Sequence, residues 1–242
     1  METKARHAFY RGVAKELRDA KIPFLVGGAY AMRRYADVRR DTKDLDLFLE
    51  RGKSREVVRF LSRRGYAARI VSPHWLGKVS AGDAYVDLIF GSRNGICAVD
   101  RDWFRHAESG RLLGLPVRWV PPEEMVWSKA FVMARDRFDG ADIAQLVRAR
   151  GKSLNWTRLL DRFGSHWPVL FVHLVLFGYT FPSEHGAVPA WVLEELDRRR
   201  HETPQNGRKL CRGTLLSPGE YLDDIRRRGY VDARQRDAAR EN

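Results

Sequence analysis

The stretch FLVGGAYAMRRYADVRRDTKDLDLFL, residues 24–49, decides how the rest of the chain reads. A short apolar strand (KIPFLVGG, 21–28) is stopped by Gly27 and Gly28, and AYAMRRYA (29–36) reads as a short helix leaving directly from that pair. A polar loop follows over 37–43. DLDLFLE (44–50) then alternates with the period of a strand: Leu45, Leu47 and Leu49 face one way, and Asp44, Asp46 and Phe48 the other. Strands are poor in Asp, which competes for backbone hydrogen bonds and resists burial. Two carboxylates on one strand face therefore need a reason.

Outward from this stretch the pattern is mixed. Phe9, Val13 and Leu17 mark a helix over 4–20, and REVVRFLSRRG (55–65) a second one ending at Gly65. YAARIVS (66–72) is a strand. Residues 72–83 read as a loop or a short irregular strand. AYVDLIFG (84–91) is an apolar strand interrupted by one carboxylate, Asp87, and LPVRWVP (115–121) is the last strand. Beyond Pro121 helical patterns run to about residue 200. The expectation is an α/β (α+β) chain: a small mixed β-sheet with flanking helices over 1–120, then a helical half over 121–242 with a basic C-terminal tail that frays at its end.

The composition bounds the function. Hydrophobic residues make up 44% and aromatics 11%, enough for a packed core and against a disordered chain. Lys and Arg number 44 against 31 Asp and Glu, a net charge of +13, which favours polyanionic partners or simply reflects an arginine-rich surface. Two distant cysteines, Cys97 and Cys211, give no disulfide framework or metal pattern, which fits a reducing cytoplasm. No secretory signal is expected in the charged N-terminal segment. The most apolar run, Trp167 to Phe181, is short for a membrane span and reads as a core helix, so no membrane partner is expected.

Asp44, Asp46 and Asp87 stand out as carboxylates in strands. On neighbouring strands they can converge, and clustered carboxylates repel unless a cation sits between them. A hard divalent ion such as Mg²⁺ takes a few carboxylates together with water and phosphate oxygens. Two such ions make the clamp used in phosphoryl and nucleotidyl transfer. The plainer reading has Asp44 and Asp46 facing solvent and Asp87 paired with an arginine. Gly27-Gly28 shifts the balance, because glycine lets a phosphate approach the backbone and a helix N-terminus presents free N–H groups to it.

The order strand, Gly-Gly, helix, Asp-x-Asp strand, later Asp strand resembles the nucleotidyltransferase superfamily with the polymerase-β-like fold. RRDTKDLDLF (39–48) is most similar to its abortive-infection-toxin type branch, and SKAFVMARDRFDGADIAQLV (128–147) to the helical region of that branch. The resemblance covers roughly residues 20–150. It implies a metal-dependent transfer of an NMP from an NTP to an acceptor hydroxyl, with pyrophosphate released. It implies catalytic and metal-binding roles for Asp44, Asp46 and Asp87, with two Mg²⁺ or Mn²⁺ ions. It places Gly27, Gly28, Arg40, Thr42 and Lys129 against the nucleotide, ATP being one candidate. The acceptor is an RNA end, a small molecule or a protein side chain. The competing reading is a nucleic-acid-binding or regulatory module that kept the fold without its chemistry.

Other features divide between function and packing. His74, Trp75 and Lys78 form an aromatic–basic cluster able to stack a base or fill a loop. His166 and His173 read as core. Asp139 reads as a helix N-cap. Arg198–Arg200 and Arg226–Arg228 suit either a phosphate backbone or a solvated helix face.

Overall fold

The computed structural model describes residues 3–204, 207 and 209–234. The chain divides into two compact units, one up to Pro121 and one from Pro122.

The first unit contains α1 (Thr3–Asp19), β1 (Leu25–Val26), α2 (Gly28–Ala36), β2 (Asp44–Phe48), α3 (Ser54–Arg63), β3 (Ala67–Ser72), β4 (Leu76–Ala81), β5 (Ala84–Ile89), α4 (Arg101–Arg105), β6 (Glu108–Leu112) and β7 (Leu115–Trp119). Its seven strands form one sheet in the order β3-β4-β5-β2-β1-β7-β6. The β2–β5 and β1–β7 pairs are parallel, and the other neighbours antiparallel, so the sheet is mixed. Leu45 and Leu47 of β2 and Val86 and Leu88 of β5 are fully buried, as the central position of these strands demands. From α1, Tyr10, Val13, Ala14 and Leu17 are buried, so its inward face is set one residue on from Phe9.

Three expectations change here. The 21–28 strand shrinks to Leu25–Val26. Residues 76–81, expected as a loop or a short irregular strand, form a six-residue strand paired with β5 through a two-residue turn, Gly82-Asp83, in which Gly82 has φ +59°. LPVRW is not alone: β6 pairs with it through Leu113-Gly114, both at positive φ (47° and 81°), the backbone that a tight hairpin requires.

The second unit is mainly helical: α5 (Pro122–Ala130), α6 (Gly140–Arg150), α7 (Trp156–Phe163), α8 (Trp167–Thr180), α9 (Ala190–Glu202) and the short α10 (Leu222–Arg226). Strands do not end at Pro121, since β8 (Leu210–Cys211) and β9 (Val231–Asp232) form a small parallel pair. Leu170, His173, Leu174 and Phe177 of α8 are buried, while Val172, Val175 and Tyr179 are exposed. No helix among the described residues is long and apolar enough to cross a membrane. The unit also buries charge. Arg158 pairs with both Glu123 and Glu124, and Arg162 Nε lies 3.3 Å from Glu124 Oε1. Glu124 is fully buried; burial pushes its carboxyl up and the two arginines pull it back.

Candidate active site

β2 carries Asp44 and Asp46 on one face, both half-buried, with Leu45 and Leu47 on the other. Its C-terminal residue Phe48 stacks on Trp103 with centroids 5.3 Å apart. The Gly27-Gly28 turn lies directly over this face. The Gly27 N–H donates to the Asp46 carbonyl at 3.0 Å. A Cβ on Gly27 would fall 2.3 Å from Phe48 Cε2, and one on Gly28 would fall 1.6 Å from Asp46 Oδ2. Gly28 also has φ +55°. Both glycines are therefore required by close packing, and the second by its backbone as well. Gly27 occupies the N-cap position of α2, with no side chain to cap the helix.

Thr42 braces Asp44: its hydroxyl makes a short contact with Asp44 Oδ1 and lies 3.3 Å from the Asp44 carbonyl. Beneath the pair sits Tyr10, fully buried, whose hydroxyl has no hydrogen-bond partner among the described residues. Burial drives its phenol far above the ordinary tyrosine range, and Tyr30, Asp44 and Asp46 add to the effect. Tyr30 packs edge-on against Tyr10 at 6.3 Å and is raised chiefly by burial too.

Beside the acids opens a cavity of about 410 Å³. Arg6 and His7 from α1, Arg33 from α2, and Arg39, Arg40 and Thr42 from the following loop line it. Asp41 is the acid in this lining and lies 3.4 Å from Arg6. The cavity is built to receive negative charge.

Asp87 stands beside Asp46 in the parallel β2–β5 register. It lies opposite Lys78 in the β4–β5 register, and Lys78 Nζ is 2.9 Å from its Oδ1. Burial raises the Asp87 carboxyl, Lys78 draws it back, and Asp44 adds a smaller upward push. Among the described residues no three His, Cys, Asp or Glu side chains are gathered so as to hold a metal ion. Asp44 and Asp46 suit a divalent cation as a pair of hard oxygen donors on one strand face. Asp87, next to Asp46 in register, has Lys78 as its ion-pair partner.

Lys129 belongs to the second unit. Its ammonium lies 3.0 Å from Asp139 and 2.7 Å from Asp142, so two carboxylates already answer its charge. Asp139 occupies the N-cap position of α6 without a capping side-chain bond; its carboxylate pairs with Arg137 and Lys129 instead. His173 is core: its Nε2 lies 2.9 Å from the Ala130 carbonyl and its ring stacks on Phe138. His166 packs edge-on against Phe131. Arg198, Arg199 and Arg200 pair with Glu195, Glu202 and Asp197 of their own helix, and Arg227 and Arg228 with Asp223 and Asp224. Of the aromatic–basic cluster, Lys78 reaches a carboxylate, that of Asp87.

Sequence reasoning missed Tyr10, Arg6, His7 and Arg33 as parts of the site. A signal existed in α1, where Arg6, Tyr10, Val13 and Leu17 share a helix face at i, i+4, i+7 and i+11.

No protein-family model matches the chain, and no curated protein matches it in sequence. Among solved structures, an antigenic nucleotidyltransferase-like protein from Paracoccidioides brasiliensis aligns over 80% of this chain and 99% of its own. The identity is 13% and the TM-score 0.53. The solution structure of the antibiotic-resistance factor ANT(2'')-Ia aligns over 84% of this chain and 100% of its own, at 14% identity and TM-score 0.45. The lincosamide antibiotic adenylyltransferase LnuA, solved with lincomycin bound, aligns over 60% and 96%, at 14% identity and TM-score 0.41.

Proposed function

We propose that this chain, which has the nucleotidyltransferase fold, transfers a nucleoside monophosphate from an NTP to an acceptor hydroxyl. The observation that carries this reading is the seating of the Asp46 carboxylate against Gly28, with Asp44 beside it on the same strand face. A carboxylate beside a helix N-terminus is stabilised there in its own right; two acids on one strand face beside a glycine turn and a basic cavity are what a metal-bound triphosphate would use.

In this reading the triphosphate lies across Gly27-Gly28 at the N-terminus of α2, where backbone N–H groups favour an anion. Arg6, Arg33, Arg39 and Arg40 answer its negative charge from the cavity, and Thr42 fixes the orientation of Asp44. A divalent cation, Mg²⁺ or Mn²⁺, held by Asp44 and Asp46 would supply charge neutralisation at the α-phosphate. The acceptor oxygen bonds to the α-phosphorus as the bond to the bridging oxygen breaks, and that oxygen departs with the electron pair in pyrophosphate. The acceptor's proton passes to a carboxylate, a role we give to Asp87. Catalysis is then mainly positioning and electrostatic stabilisation. The net charge of +13 supports an acceptor that carries phosphate, such as an RNA end, over a cationic small molecule. The free thiols of Cys97 and Cys211 fit a cytoplasmic setting.

Thermal unfolding with each NTP, with and without Mg²⁺ or Mn²⁺, tests the reading, since a ligand of the native state raises the melting temperature by mass action. Stabilisation by metal–NTP that disappears in the Asp44→Asn/Asp46→Asn variant is the expected result. The absence of any shift with all four NTPs at millimolar concentration would overturn it.

A further inference from the structure

Asp46, Asp87 and Lys78 hold matched register positions on three neighbouring strands, β2, β5 and β4. Residues so matched lie on one face of a sheet, so the carboxylates continue sideways into an ammonium. That ammonium is fixed from two sides. It lies 2.9 Å from Asp87 Oδ1 and 4.5 Å from the centroid of the Tyr85 ring. Lys78 and Asp87 side chains are only 23% and 17% exposed. The pair is mostly covered, so it is screened by solvent less than the exposed lysine pairs of this chain, such as Lys15–Asp19.

We propose that Lys78 is a resident cation of the candidate active site. It answers the Asp87 carboxylate where a second divalent ion would otherwise do so, so the site binds one divalent ion, at Asp44 and Asp46, and Asp87 is not a metal ligand. The inference rests on the transferase reading and corrects its two-ion form. A second divalent ion at Asp87 would have to displace the ammonium or sit beside it, and like charges within a few ångströms repel strongly where water is scarce. The tethered ammonium also answers the charge of Asp87 without metal, by ion pairing alone, since Oδ1 makes no hydrogen bond among the described residues. Lys78 acts through Asp87 and is a positioning residue.

Counting bound Mn²⁺ by the electron paramagnetic resonance of the free ion, with the whole protein and Mn²⁺ alone, tests this directly. Wild type is expected to bind one Mn²⁺ per chain. Asp44→Asn/Asp46→Asn loses it, and Asp87→Asn keeps it. Lys78→Met gains a second ion or binds Mn²⁺ about tenfold tighter as the local positive charge is removed, Lys78→Arg stays at one ion, and the gain vanishes in Lys78→Met/Asp87→Asn. Two ions on wild type, one of them lost in Asp87→Asn, would overturn the inference and leave the transferase reading intact. So would a folded Lys78→Met protein with unchanged stoichiometry and affinity. The Asp87→Asn comparison decides the matter even where Lys78→Met does not fold. No Mn²⁺ bound by wild type or any variant would overturn both the inference and the metal-dependent reading.

Discussion

The carboxylate of Asp46 occupies the space that a side chain on Gly28 would need: a Cβ there would lie 1.6 Å from Asp46 Oδ2. With φ at +55°, Gly28 meets two independent demands for glycine. Gly28→Ala should therefore destabilise the protein by about 2–4 kcal/mol, combining backbone strain with displacement of a packed group. It should also cost metal–NTP binding, because Asp46 must move. Chemical denaturation and nucleotide titration of the same variant check both effects. Loss of stability with unchanged binding would separate the turn from the site.

The basic cavity gives a second prediction. Arg33 and Arg39 line it from different segments. A hydrogen bond to a charged group contributes about 1.5–3 kcal/mol, so Arg33→Ala/Arg39→Ala should weaken NTP binding by at least about tenfold. It should also flatten the salt dependence of binding. Isothermal titration at two ionic strengths measures this. Wild-type affinity in the double variant would remove the cavity from the nucleotide site.

Glu124 supplies a third. It is fully buried and balanced by Arg158 and Arg162. Breaking a buried pair from one side leaves an uncompensated charge and costs about 3–5 kcal/mol. Arg158→Met should fall in that range. Adding Glu123→Gln should restore part of the loss, because Glu123 is the buried carboxylate that loses its arginine while Arg162 still answers Glu124. Urea unfolding of the single and double variants measures the coupling.

His173 gives a pH dependence whose sign follows from its surroundings. Burial lowers its pKa, and the hydrogen bond to Ala130 opposes this only in part. The unfolded chain takes up a proton below about pH 6.5, which the folded imidazole refuses until lower pH. Stability is thus full above about pH 6.5 and declines as pH falls toward the folded value, by up to about 1.4 kcal/mol per pH unit. His173→Gln should remove that slope from the urea midpoint between pH 7 and pH 5. An unchanged slope would assign it to another group.

The candidate site was legible in the sequence where it is local. Asp44 and Asp46 betray themselves as two carboxylates on one face of an alternating strand, and Gly27-Gly28 precedes them by one helix. The rest depends on distant pairing. β4 hid because Gly77, Lys78 and Ser80 read as loop, although Gly82-Asp83 was a hairpin signal. Without β4 there is no register, and without register Lys78 has no relation to Asp87. β6 hid because ESGRL alternates too weakly, with only Leu112 buried. Arg6 and Arg33 meet at the cavity through the packing of α1 and α2, which no local period encodes. Lys129 shows the converse: a lysine well placed by family pattern has its charge answered by Asp139 and Asp142.

β3 is one of the two border strands of the seven-stranded sheet. β3 has no fully buried residue, and its pairing with β4 shifts register between Ile70 and Ser72, with Val71 left 44% exposed. A straight apolar border strand is an invitation to polymerise, each copy extending the next by backbone pairing. The irregularity at Val71 and the exposed Arg69 interrupt that template. The defect in the ladder makes this border a poorer template for pairing with a second chain.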